Sequence, residues 1–279
     1  MLREACKPFI IALCAATLLT SCGPSSEEQA ANKLLEDARA AIDNKHFEEA
    51  IGLLDTLSVL HPKMTKVIKS GIELRPVAIE GLTIRQIEET DSMLAMAAWH
   101  ADSLSSLFKT VNDSRLVEPY TVAKSAPGNL YSRTGIEARV TPEGAFSIVS
   151  SLNGPKIRHT SITLSSGAES ATSETVPLSS EANYTINGSE TVTFSVHKCD
   201  TIGDFAVKHD NTPLKLTFNG NKSHSIKLSA KEVHAIADTY RLASTRQEGI
   251  LLNKKKEILR AKLQLARDQQ ARTKSIEEK

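Results

Sequence analysis

The sequence predicts an α+β chain of several parts: a coiled-coil-like helical stalk with an inserted antiparallel β-sandwich. Three observations predict it. Apolar residues recur at helical spacing from Ala30 to Val111 and again from Val233 to Ala266. Between these stretches, short alternating runs are broken by Gly, Asn and Pro. Composition shifts at the same borders: charged residues fall to 19 of 110 over 119–228, and Ser and Thr make up 16 of 36 residues from Thr160 to Ser195. The expected boundaries are a processing signal at 1–21, a polar tether at 22–29, helices at 30–118, the sandwich at 119–228 and a long helix at 229–279.

The first segment is an address rather than part of the fold. Arg3 and Lys7 precede the apolar run Phe9 to Leu19, whose 11 residues are too few to cross a hydrocarbon core of ~30 Å. The run suits the apolar centre of a signal peptide. It ends in Leu19-Thr20-Ser21-Cys22, which resembles the bacterial lipobox at all four positions. The resemblance implies cleavage after Ser21 and acylation of Cys22, on its sulfur and on the new amino group. Several acyl chains, at ~0.8 kcal/mol per buried CH₂, hold a domain firmly at a membrane. Gly23-Pro24-Ser25-Ser26-Glu27-Glu28 then forms the tether. No Asp follows Cys22, so the inner-membrane retention signal of enterobacterial lipoproteins is missing, and the acidic pair is loosely similar to surface-export signals of Bacteroidetes lipoproteins. The expected location is the outer membrane, with the periplasmic and surface faces both open.

The helical region begins with Leu34, Leu35, Ala38, Ala41 and Ile42, breaks at Asn44-Lys45-His46, and resumes at Phe47, Ala50, Ile51 and Leu54 before Pro62. This pattern resembles a single tetratricopeptide-type hairpin, whose small residues let two helices approach closely. No second copy lies 34 residues away, so the hairpin is not read as a peptide-binding solenoid. After an irregular stretch around Gly71 and Pro76, a longer helix is expected from about Leu82 to Val111. Ile87, Leu94, Ala101 and Phe108 step by sevens, and Thr90, Ala97, Leu104 and Val111 fill the second seam position. Trp99 and His100 lie off that seam, where a contact patch is one reading and a second packed face is the expected one.

In the central region, strands are expected at 136–140, 146–149, 157–164, 191–196, 205–208, 214–218 and 225–228. Turn residues separate them, among them Pro142-Glu143-Gly144, Asn153-Gly154-Pro155, Asn187-Gly188 and Asn219-Gly220. Asn-Gly pairs favour tight hairpins because both central residues take positive φ. The last helix opens with Ser229-Ala230-Lys231-Glu232, a capping box. Val233, Ile236, Tyr240 and Ala243 form one stripe, which Leu252, Leu259, Leu263 and Ala266 continue. Residues 22–118 carry 10 basic and 16 acidic side chains, whereas 229–279 carry 12 and 7. Opposite signs favour packing of the last helix on the first ones.

Little catalytic chemistry is legible. The eight His residues make no His-Glu-x-x-His helix, and no Cys-x-x-Cys pair is present, so no metal or cofactor site is expected. There is no Gly-x-Ser-x-Gly elbow and no Walker loop. Near-neutral charge removes the case for nucleic-acid binding. Cys6 and Cys14 fall in the signal and Cys22 takes lipid, which leaves Cys199 as a buried small hydrophobe; as a nucleophile it would need His197 beside it on a strand. Asp55-Thr56-Leu57, Asp91-Ser92-Met93, Asp102-Ser103-Leu104 and Asp200-Thr201-Ile202 resemble the short O-glycosylation motif of Bacteroidetes envelope proteins.

The sequence thus reads as a non-catalytic cell-envelope lipoprotein, a protein-interaction or structural subunit of an envelope assembly. Its expected partners are the membrane, through Cys22, and another envelope protein; no small-molecule ligand is specified. A hairpin beside a lipid anchor is similar to outer-membrane assembly lipoproteins over about 30 of the 279 residues. The alternative is a surface-exposed lipoprotein that binds a ligand or glycan. An envelope hydrolase would require His159, His197 and an acid to share a pocket.

Overall fold

The computed structural model describes residues 25–112, 118–195 and 197–277. The chain is α+β, with five α-helices and ten strands in two antiparallel sheets among the described residues. It divides into two compact units: one ends at Leu82 and regains the chain at Ala266, and the other spans Thr83–Leu265. Cys22, with the rest of the signal, lies outside the described residues.

The first unit is a helical hairpin with two further helical segments. Helix α1 (Ser26–Asp43) is capped by Ser25, whose Oγ accepts from the Glu28 N–H at 3.1 Å. Lys45 at φ 61° turns the chain into α2 (Phe47–Leu60). Ala31, Leu35, Ala38, Leu54 and Leu57 are buried together. Helix α3 (Thr65–Ser105) then begins 17 residues before the expected start near Leu82. The irregular stretch around Gly71 and Pro76 is instead helical. Gly71 lies against the Leu54 and Leu57 side chains, and Pro76 and Ala78 are buried, so packing carries the helix through the missing N–H of Pro76. Gly81 is required by close approach: a Cβ there would sit 2.3 Å from the Phe47 ring. The end of helix α5 (Ala230–Glu277) joins this unit through Arg267, 2.8 Å from Glu80, which also accepts from Gln270. These bonds, with Arg267 first, hold the Glu80 carboxyl below its ordinary range.

The second unit holds the sheets. The larger runs β1 (Phe108–Val111), β2 (Tyr120–Ala123), β3 (Gly135–Val140), β4 (Phe146–Leu152), β8 (Ser189–Ser195) and β7 (Asn183–Ile186) in spatial order. The smaller runs β10 (Ser223–Leu228), β9 (Leu214–Asn219), β5 (Ser161–Ser166) and β6 (Glu169–Thr172). Inward residues such as Ile148, Val192, Phe194, Leu164, Leu216 and Phe218 share one core with helix α4 (Asp200–Lys208) and the start of α5. The inserted β part is therefore two sheets with helices entering the same core, rather than a sandwich of strands alone.

Four expectations are corrected. The long helix stops at Ser105, and Phe108 and Val111 belong to β1, because Phe108 enters the sheet core. Residues 205–208 are helical: Ile202, Phe205 and Ala206 are spaced for one helix face and are buried together. Strand β5 starts at Ser161 rather than Ile157, since the linking segment turns at Arg158 with φ 56°. Asn187 and Gly188, at φ 48° and 80°, make the expected tight hairpin; Asn219-Gly220 also opens one, from β9 to β10 over residues 220–222, but with positive φ at neither residue. There, glycine is demanded by proximity, as a Cβ on Gly220 would lie 2.3 Å from the Ile157 carbonyl oxygen. The capping box is present, with the Ser229 N–H donating to Glu232 Oε2 at 2.9 Å and the Glu232 N–H to Ser229 Oγ at 3.3 Å. Within the second unit, Lys256 on α5 pairs with Asp91 on α3, while Leu104 of α3 packs on the core that holds Leu242 and Ala243 of α5, so these helices run antiparallel there.

A buried serine, histidine and glutamate

The strongest concentration of chemistry is built by the pairing of β4 with β8. Their register sets Ser150 opposite Val192 and Leu152 opposite Glu190, so Ser150 and Glu190 face inward from neighbouring strands. The segment linking β4 to β5 drops His159 between them. Ser150 Oγ lies 2.8 Å from His159 Nε2, and His159 Nδ1 lies 3.3 Å from Glu190 Oε2. Glu190 also accepts from the Arg158 N–H at 2.9 Å and the His159 N–H at 3.3 Å. The Phe218 ring stands edge-on to the imidazole at 5.2 Å.

Burial lowers the His159 pKa despite the carboxylate beside it, so the ring is neutral at pH 7. Burial alone would raise Glu190, but the backbone N–H of Arg158 and the His159 ring and N–H outweigh it and keep the carboxylate ionised. The network then has one consistent reading: Nδ1–H donates to Glu190, and the Ser150 hydroxyl donates to Nε2. This is the order of a Ser-His-acid triad. Its surroundings are those of a structural clamp. Ser150 is 0% exposed in mid-strand, and the other group within reach of its Oγ is the Val192 carbonyl oxygen at 3.3 Å, an acceptor. An oxyanion needs donors at that position and a path from solvent. A fluorophosphonate probe is therefore expected to leave Ser150 unmodified in the folded chain; stoichiometric labelling by mass spectrometry would overturn the structural assignment.

His197 takes no part in this cluster. It sits on a turn at φ 66°, exposed, with Nδ1 2.6 Å from Asp200. Cys199 is buried at the start of α4, its thiol donating to the Phe194 carbonyl at 3.2 Å. Burial, with Asp200 adding to it, pushes this thiol up to about 12, which makes it a poor nucleophile. His209 pairs with Glu169 at 2.8 Å, and His224 lies on β10. The four hydroxyls of the glycosylation-like triplets, Thr56, Ser92, Ser103 and Thr201, all donate to backbone carbonyls.

Two clusters escaped the sequence reading, because each is completed by a residue from another element although some members are close along the chain. Asp210, His234 and Asp238 bring ligand atoms within 4.8 Å of one another. Arg241 occupies the centre, 2.8 Å from Asp210 and 2.9 Å from Asp238, while the two His234 nitrogens face the same carboxylates. These bonds hold Asp210 below its ordinary range although burial opposes them. Two carboxylates facing a guanidinium and an imidazole form a clamp between the turn after α4 and the start of α5. On the outer face of the larger sheet, Arg139 stacks 4.2 Å over the Tyr120 ring, reaches the Tyr131 hydroxyl at 3.4 Å and pairs with Glu137 at 2.8 Å. Tyr184 joins them through a hydrogen bond with Tyr131.

Among the described residues no helix is long and apolar enough to cross a membrane. Comparison with protein-family models, with curated proteins and with solved structures finds no match to this chain.

Proposed function

We propose that this chain is a non-catalytic cell-envelope lipoprotein, a protein-interaction or structural subunit of an envelope assembly, held at the outer membrane by lipid on Cys22. One observation carries the interaction half: α5 keeps Leu251, Ile258 and Leu265 exposed by 64%, 69% and 58%, spaced by sevens, beside Met93, Met96 and Trp99 exposed on α3. Trp99 does not form the second packed face expected from sequence, being 67% exposed. A repeating apolar ridge of this kind marks a contact surface. The lipobox-like Leu19-Thr20-Ser21-Cys22 supports the address, and the burial of Ser150 supports a non-catalytic role.

A second reading, a surface-exposed ligand- or glycan-binding lipoprotein, draws on the three tyrosines gathered at Arg139, since ring faces stack on sugars. One fractionation experiment addresses the anchor and the face. The wild-type chain is expected to stay with outer membranes through a high-salt wash, and Cys22→Ala to move to the soluble fraction. Retention of the variant would sink the anchor. Protease added to intact cells separates the readings, because a surface binder is cut and a periplasm-facing subunit is not.

A further inference from the structure

We infer that the exposed ridges of α3 and α5 in the second unit bind a second copy of this chain, in a two-fold dimer that sets α3 of one copy against α5 of the other. The inference rests on the protein-interaction reading above and names its partner. On α3 the seam facing α5 runs through Thr90, Leu94 and Ala97; on α5 it runs through Leu252, Lys256 and Leu259. Asp91 and Lys256 close one flank of this antiparallel pair. Met93 and Met96 lie on the other flank of α3, and in an antiparallel heptad pairing Leu251 and Ile258 lie on that same side. Apolar residues thus crowd the flank opposite the Asp91–Lys256 pair.

Charge decides which surface can cover it. The α3 ridge is bordered by Glu88 and Glu89, with Arg85 pairing to Glu89 at 3.9 Å, and the α5 ridge by Lys254, Lys255 and Lys262 with Glu248 and Glu257 among them, so the two borders keep opposite net signs. Packing α5 on its own copy would set these lysines against each other, and packing α3 on α3 would oppose the glutamates. A two-fold axis parallel to the helices avoids both, placing each acidic ridge on a basic one and keeping every neighbour antiparallel. It also preserves height along the helices. Met96 is five residues beyond Asp91 and Leu251 five before Lys256, so Met96 meets the second copy's Leu251. Glu89 meets the second copy's Ile258, within a turn of Lys255 and Lys262. The result is a four-helix association around Met, Leu and Ile side chains.

The test is photo-cross-linking in cells, with a benzophenone amino acid at Met96 or Ile258 in the full chain, together with the mass of the detergent-purified protein by light scattering. The expected result is a cross-linked band of twice the chain mass from both positions and a dimeric purified mass. Ile258→Lys should abolish both while leaving the thermal transition intact. Glu88→Lys with Glu89→Lys should weaken the dimer at least tenfold, and adding Lys254→Glu with Lys255→Glu should restore it. A monomeric mass with cross-links to one different protein overturns the second copy and leaves the interaction reading standing. Cross-links to lipid alone, or to nothing, overturn both.

Discussion

Glu190→Ala is expected to destabilise the fold by about 3 kcal/mol or more, because each buried donor left without an acceptor costs ~1–3 kcal/mol. The substitution strips a partner from three donors at once: the Arg158 N–H, the His159 N–H and the His159 ring. The His159 ring and N–H have no water at hand, since His159 is buried, whereas Arg158 is exposed and its N–H is the donor that solvent can most readily reach. Glu190→Gln keeps the shape and an acceptor oxygen, and should recover roughly half of the loss, because hydrogen bonds to a charged group are the stronger kind. Chemical denaturation at pH 7 reads both. A loss below about 1 kcal/mol for the alanine variant would mean that the cluster contributes nothing as a unit.

The same cluster sets a direction for acid sensitivity. In the unfolded chain a histidine titrates near 6.5, and burial moves the folded value of His159 below that. As pH falls through the unfolded value, the unfolded chain takes up a proton that the folded chain refuses. Stability then drops, by at most about 1.4 kcal/mol per pH unit from this group. Glu190 acts at lower pH. Its folded value is depressed, so its contribution is full above the unfolded carboxylate value and is lost as pH falls through the folded one. Both groups favour the folded chain at neutral pH over mildly acidic conditions.

How much of this was legible depends on the period of each signal. The hairpin of α1 and α2 could be read because Ala38, Ala41, Ala50 and Leu54 bury one face at helical spacing. Strands β3 and β9 alternate, since one face of each meets the core, whereas β4 is buried on both faces from Ile148 to Leu152. Strands β6 and β7 sit at sheet edges with both faces largely in solvent, so Glu169–Thr172 and Asn183–Ile186 carry no period-two pattern. The heptad count ran on to Phe108 and Val111 because spacing by sevens records apolar positions and not the backbone that carries them. The buried cluster was illegible for another reason. Ser150, His159 and Glu190 are joined by strand register, and a one-residue slip of β8 on β4 would turn Glu190 outward. His159 was singled out in sequence, yet it meets Ser150 and Glu190 and not His197, which pairs with Asp200.

Phe218→Ala tests whether enclosure is what keeps His159 neutral. Phe218 is fully buried on β9 and its ring stands against the imidazole. Removing the ring should cost about 3–5 kcal/mol at pH 7, from lost burial and the cavity left behind. A second effect follows only if the ring also desolvates the imidazole. A cavity lined on one side by His159 and Ser150 has polar partners for water, and water there would stabilise the imidazolium. The folded His159 value should then rise toward 6.5, and the loss of stability between pH 7 and 5 should be shallower than in the parent chain. The absolute stability and its pH slope thus move in opposite senses, the variant being weaker yet less sensitive to acid. Denaturation curves at pH 7, 6 and 5 measure both, and NMR titration of the His159 ring measures the shift directly. A variant that loses stability but keeps the parent's slope would show that the strands and Glu190, without Phe218, set the protonation of the cluster.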